Sequence, residues 1–442
     1  MTLTLDPPAP AAPQPDKGHR CGVDMPMEDG VPNDIVPLTD AQKAVIKATA
    51  PVLAEHGETI TRHFYKNMLL AHPELREVFS HSAQKTGHQA QVLAQAVHAY
   101  AVHIHDLTPL LPTVLRIAHK HASLHITPDQ YAVVARHLIQ AIVDVLGEAV
   151  TPEIGDAWTS GYWNLAKIFI DTERGIYNDG VAHGGWEGFR PFKIAKKDDA
   201  TEEISHFYLE PINPADRVPE FTPGQYISVM TDIPSLGYKQ ARQYSLSDVP
   251  RRGQLRISVR RDVNNTHPGL VSNALHKLHE GSIVEVASPH GEFHLAPQDN
   301  PNSPLVLLAA GIGQTPLYPM LRASLDRNPN RRITYATVIK NNKTHAFKQE
   351  IRKIIGEDHP GFSYHVFHTR PLDSELRGID YHHPTRLSTS KIGGSLYLAD
   401  PTTQYFLCGP PNFVVDVVAQ LKAHGVPEDR IHYELFTAGS PA

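Results

Sequence analysis

Cysteine is nearly missing from this chain: Cys21 and Cys408 are the only two in 442 residues. That excludes a disulfide framework and a thiolate metal cluster, and it fits a reducing compartment. Long apolar runs are missing too; none approaches the ~20 residues of a membrane span. No block of lysine or arginine suggests nucleic acid or an anionic membrane, and the formal net charge is −6. The expectation is a cytoplasmic monomer with no membrane span and no nucleic-acid partner.

The length suggests about three domains, and the pattern changes along the chain agree. Residues 1–37 include DPPAPAAPQPDKG, rich in Pro and Ala and without periodicity. They read as a disordered arm. Arg20 is the only arginine there and no apolar core follows a basic start, so neither a transit peptide nor a secretory signal is expected. Residues 38–180 have a helical pattern. Thr39-Asp40-Ala41-Gln42 and Thr127-Pro128-Asp129-Gln130 read as capping boxes. Over 188–300, short runs such as HFYLEPI, QYISVM, LRISVRRD and IVEVAS lie between Pro/Gly turns, predicting an antiparallel β-barrel. Over 301–442, PLVLLAAGIG, RITYATVIK, FSYHVFHT and QYFLCGP alternate with helical segments, predicting a parallel α/β domain.

Residues 97–126 hold six histidines: His98, His103, His105, His119, His121 and His125. At about 100° per residue, Val114, Ile117, Ala118 and Leu124 fall around His121, centring it on the apolar stripe. His119 points nearly the opposite way with Arg116, Lys120 and Ser123, which predicts a solvated face. His98 and His105 face away from their own apolar stripe, and His103 receives no role. His125 falls on the His121 face one turn on. His121 could be a core histidine satisfied by its neighbours, or half of a zinc pair with His125. Zinc would want a further ligand and a polar surround. A neutral imidazole in an apolar slot suits haem iron better. On the facing helix Gln89 leads the stripe Leu93, Ala96, Val97, Tyr100. That is a costly place for an amide unless it bonds something.

TRHFYKNM, HPELREVF, QKTGHQAQVLAQAVHAYA, IAHKHASLHITPDQY and DAWTSGYWNLAKIFI resemble the globin domain of flavohaemoglobins. The resemblance runs from about Leu38 to Phe436. It implies an all-α globin, then the β-barrel as an FAD domain, then the α/β unit as an NAD(P)-binding domain. It implies haem b, FAD and NAD(P)H as cofactors. By position, His121 matches the proximal iron ligand, Tyr65 and Gln89 the pair that holds bound oxygen, Phe79 and Leu93 haem-packing positions, and Tyr131 the tyrosine beside the proximal histidine. The family ends its globin with a helix reading E-A-E-I-Y, whose second glutamate joins that tyrosine and histidine. Here the text is Glu173-Arg174-Gly175-Ile176-Tyr177, so Gly175 takes the matching place and the carboxylate is expected to be missing; Glu173, two residues back and about 160° round the helix, is the less favoured substitute, with a water or a backbone carbonyl as the others.

The reductase motifs have the same source. Gly224-Gln225-Tyr226, the run Arg242-Gln243-Tyr244-Ser245, and GLVSNAL from Gly269 look like the flavin cradle of ferredoxin-reductase-type proteins. Arg242 would pair with the FAD phosphates, Tyr244 would stack on the ring system and Ser245 would reach its reactive edge. Val271 and Ser272 open a helix whose N–H groups would receive the pyrophosphate. The run NNTHPG before Gly269 is longer than the family's. Gly311-x-Gly313-Gln314-Thr315-Pro316 follows an apolar strand and opens a helix, as a nucleotide site requires. Cys408-Gly409-Pro410 resembles the nicotinamide-side loop, with Cys408 buried, and Phe436 matches an aromatic against the flavin. Lys340-Asn341-Asn342-Lys343 has no acid to grip a ribose 2′-hydroxyl and leans toward NADPH tolerance.

The resemblance implies nitric oxide dioxygenase activity, with NAD(P)H, O2 and NO as the small-molecule partners. A flavin belongs between hydride donor and haem because it takes electrons in pairs and releases them singly. The alternatives are an NAD(P)H oxidase or hydroperoxide reductase on the same scaffold, and a gas sensor or oxygen-binding protein. A sensor would join its globin to a signalling domain instead of a reductase.

Overall fold

The computed structural model describes residues 30–442 except 214, 252, 263–267, 297–298, 358 and 437–442. Most of the N-terminal arm, and most of the lengthened run before Gly269, lie outside the described residues.

The first unit is helical: α1 (Asp40–Ala48), α2 (Ala50–Ala71), α3 (His81–Thr86), α4 (His88–Val102), α5 (Leu111–Ser123), α6 (Pro128–Leu146) and α7 (Pro152–Ala182). Both capping boxes form, at Thr39 and at Thr127. In α2 the apolar residues Leu53, Ile60, Phe64 and Met68 recur at helical spacing and are buried. They join Ile46, Tyr100, Ile139 and Trp158 in one core, each large side chain contributing about 1.5–3 kcal/mol on burial. Pro73 follows His72, the C-cap of α2, and bars the helix's continuation. The chain then crosses an irregular corner to α3.

The second unit holds β1 (Phe189–Asp199), β2 (Ile204–Pro211), β3 (Tyr226–Ile233), β4 (Tyr238–Ser245), β5 (Leu255–Arg260), α8 (Leu270–Lys277) and β6 (Ile283–Ala287). The strands form one antiparallel sheet in the order β4-β3-β6-β1-β2-β5. A bridge between Leu246 and Ile257 brings its two edges together, so the sheet curls into a barrel around Phe192, Ile194, Phe207, Val229 and Val286.

The third unit holds β7 (Leu305–Ala310), α9 (Gln314–Arg327), β8 (Ile333–Ile339), α10 (Lys348–Gly356), β9 (Phe362–His368), β10 (Gln404–Gly409), α11 (Pro411–Ala423) and β11 (Ile431–Leu435). Its sheet is parallel, in the order β11-β10-β7-β8-β9. Every residue of β7 and β8 is buried, as a sheet covered on both faces requires. The strand order reverses between β7 and β10, where such sheets bind ligands. No helix among the described residues is long and apolar enough to cross a membrane.

Candidate functional site

Helix α5 points His121 at α6 and α7. Its Nδ1 lies 2.8 Å from Glu173 Oε1 and 3.0 Å from the Tyr131 hydroxyl. The Tyr131 hydroxyl donates to the same carboxylate oxygen at 2.5 Å. Glu173 is 3% exposed. Burial, then the Glu173 charge, hold the Tyr131 phenol well above its usual pKa, so it stays a donor. With Nδ1 engaged, Nε2 is the nitrogen left to bind a metal. The donor chemistry therefore fits haem iron.

This corrects the expectation that the carboxylate is missing. Glu173 supplies it, whereas Gly175 faces open space, with nothing within 4 Å of a Cβ built there. Along α7 the residues Ala166, Phe169, Ile170, Glu173 and Tyr177 recur at helical spacing. That stripe puts Glu173 inward and Gly175 outward, a register that matching one short motif overlooked.

Two other histidine expectations also change. His125 does not continue the helical face of His121. The helix ends at Ser123 and His125 turns left-handed at φ 57°. Ile126 N–H bonds His121 O and His125 N–H bonds Ala122 O, the hydrogen-bond pair of a Schellman cap. His125 Nε2 then lies 3.4 Å from Glu187 Oε1, so the two histidines form no i, i+4 zinc pair. Nor is the His119 face of α5 solvated; it docks on the barrel. Gly291 N–H donates to His119 Nδ1 at 3.4 Å and the His119 ring meets His290. Burial lowers the pKa of His119 to about 4 and that of Lys120 to about 8. Ser123, fully buried, accepts from Ser228 Oγ at 3.0 Å. A polar helix face can seat against polar partners of a second domain, which periodicity does not distinguish from water.

On α2, Tyr65 is buried close to Gln89. Burial raises its pKa, and the nearby Gln89 amide offsets that in part. Gln84 Nε2 donates to Gln89 Oε1 at 2.9 Å, fixing the amide. The Phe79 ring stands edge-on to Tyr65, 5.5 Å between centroids. Leu93 packs against the same core. A 410 Å³ cleft between α2, the corner and α3–α4 reaches Tyr65.

In the barrel, Tyr226 and Ser245 pair across β3 and β4, as do Ile227 and Tyr244. Tyr226 lies against Gly291, whose added Cβ would meet its ring at 2.8 Å, and its phenol is buried near Ser123 of α5. Gln243 Nε2 reaches Ser228 at 3.4 Å and Ser123 at 3.5 Å, so it faces the globin. Arg242 donates to Ala241 O at 2.7 Å and to Ser80 Oγ at 2.8 Å. Burial pulls its pKa down, and no carboxylate pairs with it among the described residues. A half-buried guanidinium without a counter-ion suits a phosphate. Gly269 caps α8, so Val271 and Ser272 sit in its first turn.

In the third unit Gly311 takes φ 58° after β7, and a Cβ on Gly313 would lie 2.1 Å from Cys408 O. Glycine is therefore required where the loop crosses the end of β10. Gln314, Thr315 and Pro316 open α9, and the buried Gln314 Oε1 has no partner, which suits a nucleotide there. Cys408 is buried, its thiol pKa pushed well up by burial. Gly409 O accepts from Phe436 N–H at 2.8 Å, joining β10 and the Pro410 turn to the C-terminal strand. Opposite Cys408 stands Glu434, with an unpartnered Oε2 and a pKa raised by burial to about 8. Sequence reasoning passed over Glu434, although it lies beside Phe436. Lys340 and Lys343 lie 3.5 and 3.6 Å from Glu203 and Glu202, so both lysines already face carboxylates.

These three sites define a class: a globin coupled in one chain to a flavin- and nicotinamide-dependent reductase. The globin family matches residues 62–168, the oxidoreductase FAD-binding domain 191–295 and the oxidoreductase NAD-binding domain 307–419. The flavohemoprotein of Bordetella parapertussis is 42% identical over 92% of this chain and all of that protein. That of Chromobacterium violaceum is 41% identical over 90% of this chain and 98% of that protein. The chain belongs to the flavohaemoprotein family. A solved flavohemoglobin from Malassezia yamatoensis, with bound FAD and heme, superposes with a TM-score of 0.76 at 28% identity, covering 90% of this chain and all of that one. The family's cofactors are haem, FAD and a nicotinamide nucleotide.

Proposed function

We propose that this protein is an NAD(P)H-dependent nitric oxide dioxygenase, converting NO and O2 to nitrate. When bound, the three cofactors supply hydride acceptance, one-electron transfer and oxygen activation. The residues supply position and charge. His121 would hold the iron through Nε2, while Glu173 and Tyr131 fix its ring and would make it a more basic donor. Tyr65 and Gln89 would offer hydrogen bonds to an oxygen ligand and so favour its retention. Phe79 and Leu93 exclude water there. Arg242 neutralises the FAD phosphates. Gly311 and Gly313 let a pyrophosphate approach the start of α9. Ser228 and Gln243 connect the flavin cradle to Ser123, two residues from His121. That direct contact between barrel and proximal helix carries the reading, since it joins the residues that would hold the flavin to the helix that would hold the haem. A cytoplasmic setting, where NAD(P)H is available, fits it.

Stopped-flow mixing of the oxygenated protein with NO tests the proposal. Nitrate should form at one per NO consumed, with one NAD(P)H oxidised per two NO. Slow loss of the oxygenated spectrum, with nitrite as the product, would overturn it. One observation favours a second reading, hydroperoxide reduction: a carboxylate on the proximal histidine pushes electron density toward iron, which aids O–O cleavage.

A further inference from the structure

The corner carrying Phe79 and Ser80 is held by its own turns and also from outside the globin. Gln240, on β4 of the barrel, is 0% exposed. Its Nε2 donates to Arg76 O at 2.6 Å and to Phe79 O at 3.3 Å, while its Oε1 accepts from His81 N–H at 3.0 Å. Both amide N–H donors and one acceptor site are thus spent on the globin. Its strand neighbours reinforce the grip. Lys239 N–H reaches Glu77 Oε1 at 3.4 Å, and Arg242 donates to Ser80 Oγ at 2.8 Å. Ser80 Oγ also caps α3 by accepting from Ala83 N–H, and α3 carries Gln84, the partner of Gln89. A buried amide is costly unless satisfied, and here every partner lies on the turn that sets Phe79 against Tyr65.

We infer that Gln240 is a positioning residue for the oxygen-side wall of the haem pocket, placed in the reductase barrel and not in the globin. The inference rests on the reading of Tyr65 and Phe79 as that wall. It makes the reductase a determinant of ligand chemistry as well as an electron source. The residue acts through the backbone of residues 76–81 and touches no reacting atom. Simple domain adhesion is the competing role. A separate barrel–globin contact, Ser228 to Ser123, supplies its control.

The test uses the full chain loaded with haem and FAD. The readouts are the C–O stretching band of the ferrous CO complex and the O2 off-rate. Gln240→Leu should shift or split the band and speed O2 release about two- to thirtyfold, the range of couplings passed through a packed network. Ser228→Ala should leave the band in place, and Phe79→Leu should move it. An unmoved band and off-rate in Gln240→Leu, with Phe79→Leu shifted, would overturn the inference while leaving the pocket reading intact. If Phe79→Leu also changes nothing, the pocket reading itself fails. Should Gln240→Leu fold poorly, Gln240→Glu decides. A protonated glutamic acid retains a donor and an acceptor, so its band should resemble wild type near about pH 6 and move as the carboxyl ionises toward about pH 9. A wild-type band throughout that range overturns the inference.

Discussion

Replacing Glu173 probes the support of the proximal histidine. One carboxylate oxygen accepts from both the Tyr131 hydroxyl and His121 Nδ1–H, at 2.5 and 2.8 Å, and its side chain is 4% exposed. Glu173→Gln keeps the shape and an acceptor but removes the charge. A charge-assisted bond contributes about 1.5–3 kcal/mol and a neutral one about 0.5–1.5. Two bonds weakened by about 1 kcal/mol each make the loss about 2 kcal/mol. Glu173→Ala leaves two buried donors unpaired, about 1–3 kcal/mol apiece, and should loosen haem about 10–100-fold. Resonance Raman on the ferrous, ligand-free protein reads the first variant directly. The Fe–His stretch should fall in Glu173→Gln and stay put in Gly175→Glu, whose side chain would enter open space. An unchanged Fe–His stretch in Glu173→Gln would refute the carboxylate's role, and a change confined to Gly175→Glu would restore the family register to Gly175.

His121→Ala should abolish the normal Soret band whereas His125→Ala keeps it; loss of haem in the second variant alone would reassign the ligand. Arg242→Ala should lower FAD retention, so that NAD(P)H no longer reduces the haem although dithionite-reduced protein still binds CO; unchanged flavin content counts against the phosphate role. Tyr65→Phe should speed O2 dissociation by the equivalent of about 1–3 kcal/mol, and an unaltered off-rate removes Tyr65 from the site. Acid should weaken the reductase half. Burial lowers the pKa of His206 to about 4 and of His345 to about 3, against an ordinary value near 6.5. The unfolded chain therefore takes up protons below about pH 6.5 while the folded one does not, so stability is full above that and declines toward about pH 4. Thermal melts followed by flavin release should show the decline, and His206→Gln should flatten it.

The three-part order was legible because each part has its own period: helical stripes, alternating strands between turns, then apolar strands with helices. His121 stood out because an imidazole centred on an apolar stripe needs a partner. Gly313 was legible too, although its steric reason, the crossing of Cys408 O, needed coordinates. Other features depend on what lies across the fold. His119, Lys120 and Ser123 read as a wet face because helical periodicity reports a helix's own core and not a second domain's surface. Gln240 is one polar residue in a strand, and its partners lie about 160 positions earlier in the chain. Glu173 was within reach, since the spacing from Ala166 through Ile170 to Tyr177 marks it as inward. Matching E-A-E-I-Y letter by letter placed the carboxylate two residues too late.

Labelled oxygen tests the central claim most directly. The protein, supplied with NAD(P)H and NO under 18O2, should release nitrate in which both atoms of one O2 molecule are retained. Nitrate carrying a single label, unlabelled nitrate, or hydrogen peroxide as the main labelled product would contradict dioxygenation.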